Sequence, residues 1–235
     1  MHGYWIDLGL TGYCSAFTVQ ESCLAARCDG RLPPLVIVQQ NHPVFTLGRS
    51  ASEDNILASP QELAERGIEV IAVNRGGDVT YHGPGQLVVS PLLHLEEIGL
   101  NANQYLHRLE DVLIELLAGY GLPTSKKEDL PGVWWGESKI ASVGLALRHG
   151  FTFHGLALNV DPDLEPFSLI NPCGVSEMRV TSMRQALGQP LDILEVRDRL
   201  LAVLTRTFGL ELEEIPLRRL QMRLGLSLQK EIARL

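Results

Sequence analysis

One cysteine of this sequence, Cys173, lies in a setting that suits a nucleophile. It belongs to the irregular run Asn171-Pro172-Cys173-Gly174, in which the proline and the glycine favour a tight turn with an accessible thiol. A nucleophilic cysteine needs such a setting, together with a nearby base or cation that favours the thiolate. Cys14, Cys23 and Cys28 lie on or beside the first predicted helix, and we expect them to be small apolar filling residues. A loop cysteine without a role is the alternative for Cys173.

Lys139, which opens the apolar strand predicted over 139–147, is a candidate base. Partial burial disfavours the ammonium ion and therefore favours the neutral amine that a base requires. The alternative is a lysine that packs its methylenes on the protein and keeps the ammonium in water. The position of Lys139 in the strand, taken alone, favours this alternative over a base.

A binding site is predicted in the glycine-rich segment 75–86, which contains four glycines, an arginine and a histidine. Apolar runs at 68–73 and 87–93 flank the segment, and both have the pattern of buried strands. Glycine lets a backbone approach a ligand closely and take up positive φ. An ordinary hairpin turn is the alternative, but it would not require Arg75, Thr80, Tyr81 and His82.

Motifs of several other chemistries are missing from the sequence. It has no C-x-x-C pair and no H-E-x-x-H, so we expect no metal site. It has neither a P-loop nor a G-x-G-x-x-G after a strand, so we expect no nucleotide cofactor. G-x-S-x-G, the motif of an α/β-hydrolase, is absent as well. The net charge of −8 argues against binding of nucleic acid.

Composition and length indicate a folded α+β protein. The 235 residues, 45% of them hydrophobic, suffice for one large domain with a core. We predict a catalytic domain over 1–215 and a basic helical tail over 216–235. No apolar run reaches the ~20 residues of a membrane span, and the first residues do not have the pattern of a secretory signal. We therefore expect a cytoplasmic protein with free thiols and no membrane partner.

Hydrophobic periodicity predicts the secondary structure. Strands are predicted at 4–10 (an edge strand), 35–38, 44–47 and 68–73, at 87–93, and as a hairpin at 139–147 and 151–160. Helices are predicted at 15–27, capped by Ser15, at 60–66, capped by Ser59, and at 101–120, 181–187 and 191–208. Because strands and helices mix without a strict βαβα alternation, the pattern favours a mixed sheet covered by helices.

Together these segments resemble the lipoyl(octanoyl) transferases, a family of lipoate-biosynthesis enzymes. The pattern Arg75-Gly76-Gly77-x-x-Thr80-Tyr81-His82-x-x-Gly85-Gln86 matches the family signature at its fixed positions, and Asp78 occupies an open one. The run 171–174 resembles the catalytic cysteine segment, 139–144 the catalytic lysine segment and 154–159 a substrate-lining strand. The matches follow the family's order over residues 35–210. The tail after position 216 has no counterpart.

The resemblance implies a single-domain fold shared with biotin and lipoate ligases: a mixed sheet flanked by helices. It implies Cys173 and Lys139 as the catalytic residues. It further implies that the substrate is bound by Arg75, Gly76, Gly77, Asp78, Val79, Thr80, Tyr81, His82, Ser142, Val143, Gly144, His154, Gly155, Leu156 and Ala157. Neither a metal nor a cofactor is implied.

The implied reaction moves an octanoyl group from octanoyl-acyl carrier protein to a lysine. That lysine belongs to a lipoyl domain of a 2-oxoacid dehydrogenase complex or to the H protein of the glycine cleavage system. Cys173 would carry the acyl group as a thioester, Lys139 would move the protons, and backbone N–H groups of Gly76, Gly77, Gly144 or Gly155 would stabilise the oxyanion. Three alternatives stay open: an ATP-dependent lipoate or biotin ligase, a binding module without activity, and an amidotransferase between protein lysines.

Overall fold

The computed structural model describes residues 1–176 and 178–224, except for the side chain of Cys173. Its strands are β1 (His2–Thr11), β2 (Leu35–Asn41), β3 (Val44–Leu47), β4 (Glu69–Ala72), β5 (Val79–His82), β6 (Gln86–Leu92), β7 (Val133–Trp135), β8 (Ser138–Arg148), β9 (Phe151–Asn159) and β10 (Glu211–Glu214). Its α-helices are α1 (Tyr13–Cys28), α2 (Pro60–Glu65), α3 (Ala102–Ala118), α4 (Met183–Leu187), α5 (Ile193–Phe208) and α6 (Leu217–Leu224).

The larger of two sheets is mixed and has the strand order β10-β1-β2-β6-β9-β8-β7. β1 runs parallel to both of its neighbours, whereas the remaining pairs are antiparallel. The prediction that β1 is an edge strand is wrong, because β10 pairs along residues 2–5. β10 was missed by the pattern analysis because three of its four residues are glutamates, which strands disfavour.

Helices cover both faces of this sheet, and the alternation of side chains in its strands explains why. Val36 and Val38 of β2 share one apolar cluster with the buried faces of α3 and α5. Leu35 and Ile37 point to the opposite face and share a second cluster with α1 and α6. Because every β2 side chain from 35 to 38 is buried, the strand reads as a continuous apolar run. The predicted mixed sheet flanked by helices is confirmed.

The smaller sheet has the order β4-β3-β5 and lies beside the glycine-rich segment. The glycine-rich segment 75–86 contains a strand that the sequence analysis did not predict, because Val79–His82 pairs antiparallel with β3. Tyr81 explains the difference: its ring packs edge-on against Phe45 and Phe167 in a separate apolar cluster. The buried strand predicted over 68–73 is also corrected, since β4 is a short and mostly exposed edge strand.

The helix boundaries agree with the predictions to within a few residues, and two details differ or extend them. α1 begins at Tyr13 with Gly12 as its N-cap, so Ser15 lies inside the helix instead of capping it. Ser59 caps α2 as predicted. In the tail, Leu220 of α6 is fully buried and the Arg223 guanidinium lies over the ring of Tyr4. The prediction for residues 225–235 lies outside the described residues.

No helix in the described ranges combines the length and the apolarity that a membrane crossing requires.

We expect the turn glycine Gly85 to tolerate no side chain. Its φ is +84°, and a β-carbon there would lie 2.8 Å from the backbone nitrogen of Pro162 and even closer to the carbonyl of Asp161. Gly67 is a matched control, since its φ is +64° but a β-carbon would meet nothing within 4 Å. Gly67→Ala should cost about 1–2 kcal/mol of unfolding free energy. Gly85→Ala should cost at least about 1 kcal/mol more, because backbone atoms must move. Equal losses in urea denaturation would contradict this account.

Candidate active site

A cavity of about 460 Å³ lies where the two sheets meet. Most of the residues that the sequence analysis predicted to form the site line this cavity. They are Arg75, Gly76, Gly77, Asp78, Val79, Thr80, His82, Lys139, Ser142, Val143, Gly144, His154, Gly155, Leu156 and Ala157. The glycine-rich segment, β8 and β9 therefore converge on one site, although they are far apart in the sequence.

Tyr81 is the nominated substrate-binding residue that the structure does not bring to the cavity. Side chains alternate along β5, so Thr80 and His82 face the opposite way from Tyr81. The Tyr81 ring is 2% exposed and lies against Gly83, where it leaves no room for a β-carbon. The structure therefore corrects this assignment: Tyr81 belongs to the small core that supports the site.

The backbone turn that carries Cys173 lies against the glycine-rich segment. Residues Pro172–Gly174 form one turn of 3-10 helix, and the N–H of Asn171 donates to the carbonyl oxygen of Asn55 at 2.8 Å. The Asp78 carboxylate accepts hydrogen bonds from Asn55 Nδ2 at 2.7 Å and from the Val79 N–H at 2.6 Å. A β-carbon on Gly174 would lie 2.9 Å from Asp78 Oδ2. Asp78 and Asn55 thus fix the position of the turn at the cavity wall.

Lys139 is joined to the chain that follows this turn. Its N–H donates to the carbonyl of Arg179 at 2.8 Å, and its carbonyl accepts from the Thr181 N–H at 2.9 Å. Only 4% of Lys139 is exposed, so the alternative of an ammonium group in bulk water does not hold. Its Nζ lies 5.6 Å from the centre of the Trp134 ring, a distance that allows a cation–π contact.

A buried arginine, Arg75, holds the glycine-rich segment to the small sheet. Its Nη2 donates to the carbonyl oxygen of Thr46 at 2.7 Å and to the Thr46 hydroxyl at 2.8 Å, while Nη1 donates to the Gly76 carbonyl at 3.0 Å. Burial of a cation is tolerated only when its donors are satisfied in this way. Because Arg75 lines the cavity as well, its positive charge lies at the site.

His82 is a neutral imidazole whose tautomer is set by its partners. Its Nδ1 lies 2.6 Å from Gln86 Oε1, which can only accept, so Nδ1 carries the proton. Its Nε2 is therefore the acceptor that faces the Thr46 hydroxyl at 3.4 Å. Burial lowers the pKa of His82 to about 4; the hydrogen bond to Gln86 opposes this shift, and the charge of Arg75 adds to it.

His154 is a second neutral imidazole and has an unusual backbone conformation. Its φ of +57° is rare for a non-glycine residue in a strand. Two polar contacts hold it: Nε2 lies 2.8 Å from Asn74 Oδ1, and the backbone N–H donates to Gln20 Oε1 at 3.1 Å. Burial, followed by the charge of Arg75 and the proximity of His82, lowers the pKa of His154 to about 3. Both cavity histidines are thus uncharged at neutral pH.

One of the four candidate oxyanion donors is ruled out by its backbone bonding. The N–H of Gly76 donates to the carbonyl of Leu145 at 3.0 Å, which ties the glycine-rich segment to β8. The prediction for Gly76 as an oxyanion donor is therefore wrong. The roles of Gly77, Gly144 and Gly155 stay predictions.

The other cysteines differ from one another more than the sequence suggested. Cys23 is fully buried, and burial raises the pKa of its thiol to about 12, so it is inert. Cys14, by contrast, is exposed on α1, so the prediction that it fills the core is wrong. Among the described residues, no group of His, Cys, Asp and Glu side chains is arranged to hold a metal ion.

Helix α1 contributes to the site, which the sequence analysis did not predict. The Tyr13 ring stacks on His82 at 6.1 Å between centroids, and the Phe17 ring stacks on His154 at 5.5 Å. The sequence pattern could have identified Gln20, because it is a polar residue among the buried positions of α1, four residues after Ala16 and four before Leu24. Thr46, which bonds Arg75, could not have been identified in this way, because threonine is ordinary in a strand.

Comparisons with known proteins agree with this arrangement. The family model described as the lipoyl protein ligase A/B catalytic domain matches residues 13–205. An octanoyltransferase of Desulfotalea psychrophila is 41% identical over 209 residues, which are 88% of this chain and 94% of that protein. An octanoyltransferase of Chloroflexus aurantiacus is 44% identical over 207 residues, 87% of this chain and 93% of that protein. The chain belongs to the octanoyltransferase family. It is an acyltransferase that acts in protein lipoylation.

Solved structures with the same fold share little sequence with this octanoyltransferase family member. A bi-partite lipoate protein ligase from Thermoplasma acidophilum has a TM-score of 0.71 at 17% identity, with 98% of this chain and 96% of that chain covered. A biotin protein ligase from Aquifex aeolicus, in complex with biotin and ATP, has a TM-score of 0.58 at 18% identity, with 88% and 70% covered. The fold expected from the resemblance is thereby confirmed.

The two neutral histidines predict a specific dependence of stability on pH. Their pKa values in the unfolded chain, about 6.5, exceed the folded values of about 4 and about 3. The unfolded state therefore binds more protons below pH 6.5, and stability falls as the pH is lowered. Each histidine contributes a slope of about 1.4 kcal/mol per pH unit well below pH 6.5.

Urea denaturation between pH 5 and pH 6.5 measures this slope. His82→Gln should remove the contribution of one histidine, because the substituted side chain does not titrate. His42→Gln is the matched control, since His42 is exposed on the surface. Identical slopes for the wild type and both variants would show that burial of His82 does not oppose its protonation.

Proposed function

We propose that this enzyme transfers octanoyl from octanoyl-acyl carrier protein to a lipoyl-domain lysine through an octanoyl thioester on Cys173. The observation that carries the proposal is that the Cys173 turn contacts a wall residue of the cavity that Lys139 lines. The backbone turn at Cys173 lies against Asp78 of the cavity wall, and the chain beyond it is hydrogen-bonded to Lys139. The backbones of Cys173 and Lys139, more than thirty residues apart, are thus both anchored near this wall, which supports their roles as nucleophile and base.

The first half-reaction forms the thioester. The Lys139 amine takes the proton of the Cys173 thiol, and the thiolate attacks the carbonyl carbon of the octanoyl thioester. The tetrahedral intermediate expels the phosphopantetheine sulfur, which receives the proton from Lys139. The S–C bond to the carrier breaks as the S–C bond to Cys173 forms, so no energy source other than the donor thioester is required.

The second half-reaction moves the acyl group to nitrogen. The acceptor lysine attacks the thioester as a neutral amine, its proton passes through Lys139, and Cys173 leaves as the thiol. Conversion of a thioester to an amide is downhill, and ATP is not needed. This feature separates the proposal from a ligase on the same fold, which activates a free acid as an adenylate. Strict dependence on ATP with free octanoate as the donor would favour the ligase.

The charges in the cavity support Lys139 as the proton carrier. His82 and His154 are the histidines of the cavity lining, and their low pKa values keep them neutral. Neither supplies a cation for a thiolate, and neither is basic enough to take a thiol proton efficiently near pH 7. Arg75 is always charged and is engaged with Thr46, so it stabilises negative charge without exchanging protons.

The apolar part of the cavity suits a medium-length acyl chain. Val143, Leu156 and Ala157 lie on adjacent strands of the cavity wall, and all three are nearly buried. Each methylene of the chain that leaves water contributes about 0.8 kcal/mol to binding. The donor carrier protein, the lipoyl-domain and H-protein acceptors, and a cytoplasmic location are parts of this proposal.

Mass spectrometry of the intact protein tests the acyl-enzyme directly. Incubation with octanoyl-carrier protein should add one octanoyl group to the wild type, and neutral hydroxylamine should remove it because the bond is a thioester. Cys173→Ala should show no adduct. Cys14→Ser is the control, because Cys14 is exposed and should leave labelling unchanged. An adduct that persists in Cys173→Ala and disappears in Cys14→Ser would remove Cys173 from its proposed role.

A pair of lysine variants tests the base. Lys139→Met should slow single-turnover acylation by about 10²- to 10⁴-fold, the usual contribution of a positioned acid–base group. Lys127→Met is a close control, because its Nζ also lies over Trp134, at 4.4 Å, but pairs with Glu137. It should acylate at nearly the wild-type rate. If Lys139→Met folds and acylates as fast as Lys127→Met, another group is the base.

A further inference from the structure

A buried carboxylate, Glu110 of α3, lies behind the cavity wall. Only 1% of the residue is exposed, although it falls on the apolar stripe of α3 between Leu106 and Leu113. Its Oε1 accepts the backbone N–H of Gly132 at 2.9 Å, and its Oε2 accepts from His107 Nδ1 at 2.9 Å. A carboxylate is costly to bury, and a leucine would suit this position better if packing were its only purpose.

One partner of Glu110, Gly132, lies against the proposed base. Gly132 has a φ of +128°, which only glycine adopts readily. A β-carbon on Gly132 would lie 2.7 Å from Cε of Lys139, the carbon that bears the amine, and would collide with the carbonyl of Ala141. The Trp134 ring also lies within reach of Nζ. The backbone at Gly132 and the Trp134 ring therefore limit where the amine of Lys139 can be.

The segment that Glu110 holds needs an anchor. Residues 129–131 line the cavity immediately before Gly132, and Asp129 has a φ of +61°, which is unfavourable for a residue with a side chain. Such a segment keeps its conformation only if its surroundings impose it. The hydrogen bond from the Gly132 N–H to Glu110 fastens it to α3, one of the most deeply buried elements of the fold.

We propose that Glu110 is a positioning residue for Lys139, acting through Gly132. This inference rests on the proposed function, since it assumes that Lys139 moves protons. Glu110 holds Gly132 against the end of the Lys139 side chain, and thereby keeps the amine where the thiol of the nucleophile and the leaving sulfur can reach it. Removing the carboxylate lets the wall move outward, so that Lys139 samples unproductive orientations.

Conservative rescue is the first test. Glu110→Leu should lower the single-turnover acylation rate about 10- to 100-fold, the effect of a displacement of about 1 Å at a reacting group. The KM for octanoyl-carrier protein should change less than twofold. Glu110→Gln retains an oxygen that can accept the Gly132 N–H and should restore most of the rate. Glu115→Leu is the control on the same helix, because Glu115 is exposed and pairs with Arg206. Glu110→Gln as slow as Glu110→Leu would overturn the proposal.

A double-mutant comparison separates positioning from general damage. If Glu110 acts only through Lys139, then Glu110→Leu combined with Lys139→Met should be no slower than Lys139→Met alone. If the rate of the double variant instead fell by the product of the two single losses, the inference would be overturned, and Lys139 would remain the base. A wild-type rate for Lys139→Met alone would instead overturn the proposed function. If Glu110→Leu does not fold, Gly132→Ala takes its place in the same comparison, because the added β-carbon displaces Lys139 directly.

Discussion

The two backbone hydrogen bonds between Lys139 and the 179–181 segment are the contacts on which the site depends. They add a short parallel bridge at the start of β8, and so bring the chain that follows the Cys173 turn back to the large sheet. Asn55 and Asp78 hold the turn itself from the other side. Main-chain bonds suit this purpose because they fix position without placing a further polar side chain in the cavity.

The buried guanidinium of Arg75 influences both histidines of the cavity. Arg75 is satisfied by Thr46 and by its own loop, yet its charge extends to both histidines and lowers their pKa values beyond the effect of burial. The same field stabilises any negative charge that develops in the cavity, including a thiolate or the oxyanion of a tetrahedral intermediate. The fixed guanidinium thus favours anions in the cavity, and the neutral histidines add no charge of their own near pH 7.

The glycine-rich segment was the part of the site most accessible to sequence reasoning, because Gly, Arg, Thr and His together have few structural uses. Fourteen of the fifteen residues nominated for substrate binding line the cavity. Tyr81 is the exception, because the local pattern does not reveal the strand that turns its side chain away from the cavity. Its pairing with β3 is a long-range contact that local patterns do not encode. β10 escaped detection for a related reason: a strand of glutamates forms only because β1 offers an unpaired edge.

Residues that support the site from behind were harder to find than those that line it. Gln20 and Glu110 each place a polar group on the apolar stripe of a helix, and that mismatch is visible in the sequence. What the sequence does not show is the partner, since the bonds from Gln20 to His154 and from Glu110 to Gly132 span 134 and 22 residues. A buried polar residue therefore predicts that a partner exists, and only the fold identifies it.

Because transferases and ligases share this fold, a few side chains must determine which reaction each enzyme catalyses. Lipoate and biotin ligases with 17–18% identity have the same fold, so the sheets themselves do not determine the reaction. A thioester donor already carries the energy of the transfer, and an enzyme that uses one requires only a nucleophile, a proton carrier and a fixed geometry between them. Under the proposed mechanism, Cys173 and Lys139 meet those requirements, together with the contacts that hold their backbones. Cys23 illustrates the same point. Its thiol is buried on the inner face of α1 and has a raised pKa, so a cysteine alone confers no activity.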